Sequence, residues 1–193
     1  EDRVVLFVAD NTGERRKGFA VLHEALRRLI RESKLRPRVL VVGADPAFDP
    51  AVSESVVRGG HLSDDARIAA AYSAADCYAL PTLEDNLPNT MLESLACGTP
   101  VVGTRVGGVG ETIEPGVTGE LADPGDAASL AKALRRQLSA KDAGGRRERA
   151  RAFAESCYSM ESHGRRWAEV LEQAVVRARA GGGVSARLPE RGE

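Results

Sequence analysis

Pro81-Thr82-Leu83-Glu84-Asp85-Asn86-Leu87-Pro88-Asn89-Thr90-Met91-Leu92-Glu93-Ser94-Leu95-Ala96-Cys97-Gly98-Thr99-Pro100-Val101-Val102-Gly103-Thr104 reads as a strand end, a polar loop, a helix, a glycine turn and a second strand. The run before it, Ala75 to Leu80, is short, apolar and stopped by a proline, the pattern of a buried strand. The helix is expected to open at Asn89 or Thr90, residue types that cap an N-terminus well. A helix start offers free amides and a partial positive charge, which suits a phosphate. Asp85 falls in the loop above the strand, and Glu93, after seven intervening residues, about one turn into the helix. A ligand with hydroxyls beside a phosphate fits: amides for the phosphate, carboxylates for the hydroxyls. The plain alternative is a strand–turn–helix whose acids are merely solvated.

Working outward, Arg3 to Ala9 and Arg38 to Gly43 are apolar runs with too few polar positions for a one-sided sheet, so they read as central parallel strands. Phe19, Leu22, Ala25, Leu26, Leu29 and Ile30 keep helical spacing, predicting an amphipathic helix over Gly18 to Ser33. Val56-Val57 suggests a short strand, and Asp64 to Ala74 a helix capped by Ser63. After the helix at Thr90 to Ala96 and the strand at Pro100 to Gly103, helices are expected at Asp126 to Leu138, Arg146 to Glu155 and around Met160 to Ala174. Such alternation predicts an α/β fold, a doubly wound parallel sheet with helices on both faces, Rossmann-like. Residues 1–180 form one domain in this reading, and Gly181-Gly182-Gly183 opens a disordered tail over 181–193.

Composition narrows the class. The 193 residues are 42% hydrophobic and 28% charged, values of an ordinary globular protein. A net charge of −1 favours neither nucleic acid nor an anionic membrane as a bulk partner. Cys77, Cys97 and Cys157 lack metal-site spacing, and the first two fall in apolar runs, consistent with reduced core thiols and a cytoplasmic setting. No apolar run reaches the length of a membrane span and no signal peptide opens the chain. The absence of an initiator Met leads us to expect a fragment of a larger protein.

Ligands in such sheets bind outside the carboxyl ends of the strands. The polar and glycine-rich stretches Asp10 to Gly18, Gly59 to Asp64, Thr82 to Asn89 and Arg105 to Glu111 all fall there. Asp64-Asp65 follows a cap position, where acids complement the helix dipole, and is no convincing metal pair. His23, His61 and His163 are too scattered to form one. Gly107-Gly108-Val109-Gly110 lacks the spacing of a dinucleotide fingerprint and reads better as backbone approaching a sugar or phosphate. No Ser-His-Asp or Cys-based arrangement supports a hydrolase.

With Asp85, seven residues and Glu93, followed by Ser94-Leu95-Ala96-Cys97-Gly98-Thr99-Pro100-Val101-Val102, the chain resembles the retaining glycosyltransferases of family 4, which move a sugar from a nucleotide donor. The likeness extends upstream through Leu62 to Asp65 and Tyr72 to Asp76. Downstream it runs through Val106 to Glu111, Gly116 to Leu121 and Asp123 to Asp126, covering residues 3 to 175 in all. It implies the C-terminal, donor-binding domain of a two-Rossmann-domain, glycosyltransferase B-type enzyme, with the N-terminal acceptor domain absent. The implied reaction is transfer of a hexose from a nucleoside diphosphate sugar to an acceptor glycan or lipid-linked sugar, with retention, in polysaccharide or glycoconjugate biosynthesis. The isolated domain would be inactive and cytoplasmic, peripheral at most to the inner face of the membrane, and would need no metal and no cofactor beyond its donor substrate.

The same resemblance implies the roles. Lys17, just before a glycine, would hold the donor phosphate, aided by Arg16 or Arg15 because the family's usual Arg at the first strand end is replaced here by Ala9-Asp10-Asn11. The backbone at His61 and Leu62 would meet the base, and Asn86, Leu87, Pro88, Asn89 and Thr90 would line the donor. Glu93 would bind the ribose hydroxyls and Asp85 the sugar. The family normally carries Glu at the first acid, so Asp85 is one methylene short, with Glu84 beside it as a competitor. Two other readings remain open: a sugar-nucleotide epimerase half-domain, which would need further acids or histidines facing the sugar, and a non-catalytic phosphate-binding module of flavodoxin-like receiver type, suggested by Asp10.

Overall fold

A computed structural model of the chain describes residues 3–9, 14–44 and 46–179. In order these are β1 (Val4–Ala9), a 3-10 turn (Arg15–Lys17), α1 (Phe19–Glu32), β2 (Arg38–Gly43), α2 (Pro50–Ser53), β3 (Val56–Gly60), α3 (Asp65–Ala74), β4 (Cys77–Leu80), α4 (Asn89–Ala96), β5 (Val101–Thr104), α5 (Gly107–Thr112), β6 (Gly119–Ala122), α6 (Ala127–Leu138), α7 (Ala143–Tyr158) and α8 (Met160–Arg179). Asp10 and the tail from 180 onward lie outside the described residues.

The strands form one six-stranded sheet in the order β3-β2-β1-β4-β5-β6, every pair parallel. The chain winds outward from β1 on one side and then restarts at β4 on the other. This leaves a switch point between β1 and β4, where loops at the strand carboxyl ends diverge and open a crevice. The fold is the doubly wound one expected.

Both faces of the sheet are covered, which explains the continuous apolar runs. On one, Val5, Phe7, Val39, Val41, Cys77, Ala79 and Val102 pack with Leu22, Leu26 and Leu29 of α1 and Leu130, Leu134 and Leu138 of α6. On the other, Leu6, Tyr78, Leu80, Val101 and Leu121 pack with Tyr72 of α3, Met91 and Leu95 of α4, Val109 of α5 and Ala150 of α7. Alternate residues of β1 and β4 thus serve opposite faces, as strand geometry requires. Each fully buried leucine contributes about 1.5–3 kcal/mol of transfer free energy.

The differences from expectation are local. β3 runs to Gly60, so Gly59 and Gly60 belong to a strand rather than a loop. Residues Gly107–Thr112 form a short helix, and β6 is a third buried strand in the second half, after β4 and β5. Asp64, not Ser63, caps α3, its carboxylate accepting from the amides of Ala66 and Arg67. The chain divides into two compact units, Glu1–Glu155 and Ser156–Glu193. In the second, α8 displays Met160, Trp167, Val170, Leu171, Val175 and Val176 as exposed apolar side chains. Among the described residues no helix is long and apolar enough to cross a membrane.

Candidate functional site

The turn after β1 and the loop after β4 are joined through main chain. The Arg16 carbonyl accepts from the Leu83 amide at 2.7 Å and from the Thr82 hydroxyl at 2.9 Å. Gly18 adopts φ 69° and carries the chain into α1. A Cβ there would run into the Pro81 carbonyl, so only glycine permits this approach. The Thr104 hydroxyl donates to the Thr82 carbonyl, tying the end of β5 to the same loop.

This framework brings Lys17 to Asp85 across the switch point, with Nζ 3.5 Å from Oδ2. They are within ion-pair distance, yet Oδ2 is buried and makes no hydrogen bond. The other oxygen, Oδ1, accepts from the Asn86 amide at 3.1 Å. With only the Lys17 ammonium near it, at a distance longer than a good hydrogen bond, this oxygen could still accept from a hydroxyl. Arg16 turns its guanidinium to Glu14 at 2.7 Å, while Arg15 is exposed.

The glycines at 107 and 108 have a structural explanation. A Cβ at Gly107 would meet the Asp85 carbonyl, and one at Gly108 would lie 2.8 Å from the Asn86 carbonyl. The Gly108 amide donates to that carbonyl at 2.6 Å. The backbone that approaches Gly107 and Gly108 is therefore the Asp85–Asn86 loop.

α4 starts at Asn89 with Pro88 in the capping position and no side chain bonded to its free amides. Asn89 and Thr90 were expected to cap, but they lie within the first turn. Thr90 instead accepts from the Tyr78 hydroxyl at 3.0 Å. Glu93, exposed on α4, accepts from the Tyr72 hydroxyl at 3.1 Å. Burial raises both phenols well above the ordinary tyrosine range, and for Tyr72 the neighbouring Tyr78 and the Glu93 charge add to it.

A cavity of about 170 Å³ opens beside the carboxyl ends of β1 and β2, walled by Val8, Gly43, His61, Leu62, Thr90 and Glu93 among others. Four of the expected donor-site residues thus meet in one place, and its walls are apolar around few polar groups, as ligand cavities generally are. Lys17 and Asp85 lie outside this lining, and so do Asn86, Leu87, Pro88 and Asn89. Asn86 and Leu87 are exposed. Tyr72 and Tyr78 were given no role by sequence reasoning. The signal was a pair of hydroxyl-bearing aromatics within otherwise apolar segments, which must find a partner when buried. Among the described residues no three His, Cys, Asp or Glu side chains are grouped to hold a metal ion.

The profile described as "Glycosyl transferases group 1" matches residues 2–140. A D-inositol 3-phosphate glycosyltransferase of Geodermatophilus obscurus is 32% identical over 170 residues, which is 80% of this chain and 38% of the relative. A glycogen synthase of Mycobacterium tuberculosis is 34% identical over 139 residues, 67% of this chain and 33% of that protein. Among solved structures, sucrose-phosphate synthase from Thermosynechococcus elongatus superposes with a TM-score of 0.71 at 25% identity, covering 91% of this chain and 46% of its own. Anabaena HepE in complex with UDP gives a TM-score of 0.73 at 22% identity over 89% of this chain and 49% of its own, a likeness of fold. The chain thus spans between a third and a half of each of these four proteins.

Proposed function

The chain belongs to the group 1 glycosyl transferases, and from that premise we propose that it is the donor-binding half of a retaining hexosyltransferase. The donor is a nucleoside diphosphate sugar. In the reaction the bond from the anomeric carbon to the diphosphate oxygen breaks, and a bond from that carbon to an acceptor hydroxyl oxygen forms. The acceptor proton leaves with the diphosphate. Negative charge grows on the departing diphosphate, and Lys17, the Arg16 guanidinium once released from Glu14, and the uncapped amides of α4 are the groups that would stabilise it. The cavity lined by His61, Leu62, Thr90 and Glu93 would take the nucleoside, with Glu93 on the ribose hydroxyls. Asp85 would take sugar hydroxyls and hold the ring.

The observation that carries this reading is Asp85 itself: a buried Oδ2 without a hydrogen bond, 3.5 Å from Lys17 Nζ, at the switch point of a parallel sheet. The acceptor-binding residues would come from the part of the protein outside this chain, since the chain spans only 38% of the inositol-phosphate relative. The test is calorimetry with UDP, GDP and ADP at millimolar concentration, together with an acceptor turnover assay. Binding of one diphosphate with no turnover is expected, and no heat with any of the three would overturn the reading.

A further inference from the structure

Resting on the proposed ribose role of Glu93, we propose that Tyr72 is a positioning residue that holds the Glu93 carboxylate in place for the ribose hydroxyls. Glu93 is exposed on a helix surface, where a long side chain normally samples several rotamers. Here one oxygen is tied. The Tyr72 hydroxyl donates to Oε2 at 3.1 Å. The ring that carries this hydroxyl is only 1% exposed, and it packs edge-on against Tyr78 with centroids 5.6 Å apart and planes at 88°. Tyr78 is in turn buried and bonded through its hydroxyl to Thr90 Oγ1 at 3.0 Å. Two locked aromatic rings thus reach from the core to the two polar residues of α4 that line the cavity.

A carboxylate has about four lone-pair positions, so one donor from Tyr72 leaves room for both ribose hydroxyls. The bond therefore orients the acid without filling it. Ordering Glu93 before the ligand arrives removes part of the entropy loss on binding, and that gain appears only for a ligand that uses the carboxylate. Burial keeps the Tyr72 phenol protonated, so it remains a donor.

The test uses the full chain and measures UDP against 2′,3′-dideoxy-UDP, with the corresponding GDP and ADP pairs, by calorimetry. In wild type the ribo form binds more tightly. In Tyr72→Phe the ribo-to-dideoxy ratio is expected to fall about fivefold, the scale of one hydrogen bond, while affinity for the dideoxy form stays the same. Tyr78→Phe removes an equally buried hydroxyl that does not touch Glu93, and it should leave the ratio intact whatever it does to overall affinity. Adding Tyr72→Phe to Glu93→Ala should change the ratio no further. An intact ratio in Tyr72→Phe with a lost ratio in Glu93→Ala overturns the positioning role and leaves Glu93 on the ribose. A ratio intact in Glu93→Ala, or no binding of any diphosphate, overturns the ribose reading and the positioning role with it.

Discussion

Glu120 and Asp85 are both carboxylates paired with cations, and the contrast between them separates a closed structural ion cluster from a candidate site. Glu120, 4% exposed on β6, accepts from Arg136 at 2.8 Å and from Arg146 at 3.1 Å. Arg146 also donates to Gln137 at 2.7 Å. The cluster closes on itself and ties α6 and the start of α7 to the sheet. Asp85 has one cation 3.5 Å away and a buried oxygen with no hydrogen bond. A carboxylate already surrounded by donors serves the fold, because a ligand could offer it nothing. One held half-satisfied by main-chain constraints is an invitation to a ligand.

The sharpest way to break this contrast is Glu120→Ala. It leaves Arg146, whose side chain is 14% exposed, without its carboxylate, and should cost about 3 kcal/mol of unfolding free energy in urea titration. Nucleotide affinity of the folded protein should not change. Lys17→Ala should do the reverse: diphosphate affinity falls by about 1.5–3 kcal/mol in calorimetry while nucleoside affinity holds, because a charge aimed at phosphate is gone. It also leaves Asp85, whose side chain is 15% exposed, without its cation, and the expected loss of stability is on the order of 1 kcal/mol, less than for Glu120→Ala because the pair is a single 3.5 Å contact and Lys17 is 32% exposed. Asp85→Asn should shift stability by no more than about 0.5 kcal/mol, since no hydrogen bond to Oδ2 is lost. The preference for a sugar nucleotide over its diphosphate should vanish. A loss of stability as large as that of Glu120→Ala would show that both clusters serve the fold.

Asp126 supplies the small end of the scale. Its carboxyl lies below the ordinary range because the amides of Ser129 and Ala128 bond it at the start of α6. A depressed folded value stabilises above the unfolded value, near pH 4, and that contribution disappears as pH falls through the folded one. The melting-temperature gap between wild type and Asp126→Ala should therefore be constant above about pH 5 and shrink below about pH 4.

Most of the sheet was legible because buried parallel strands are continuous apolar runs, as β1, β2 and β4 are. β6 escaped notice because Glu120 sits in the middle of Gly119-Glu120-Leu121-Ala122 and reads as solvent-facing. Its partners are 16 and 26 residues away, so nothing local announces that the charge is buried. α5 reads as a loop in the sequence because glycines at 107, 108 and 110 weaken helix propensity, and tertiary packing against Asn86 overrides it. The caps moved by one residue for similar reasons: Asp64 accepts two amides where Ser63 was expected, and Pro88 takes the position assigned to Asn89 or Thr90. For the site, spacing brought out Asp85 and Glu93, and the resemblance supplied Lys17. The support that Tyr72 lends Glu93 spans 21 residues and two elements, and only the assembled helices reveal it.

The bonds that fasten the β4–α4 loop land on backbone groups: Leu83 amide to Arg16 carbonyl and Gly108 amide to Asn86 carbonyl, together with the Thr82 hydroxyl to the Arg16 carbonyl and the Thr104 hydroxyl to the Thr82 carbonyl. The loop is in effect a cassette clipped at both ends. Side chains at Leu83, Glu84, Asn86 and Leu87 can be exchanged by directed evolution without unfastening it, provided Gly18, Gly107 and Gly108 are kept. The same wiring that makes the glycines immovable leaves the residues between them free to be rewritten.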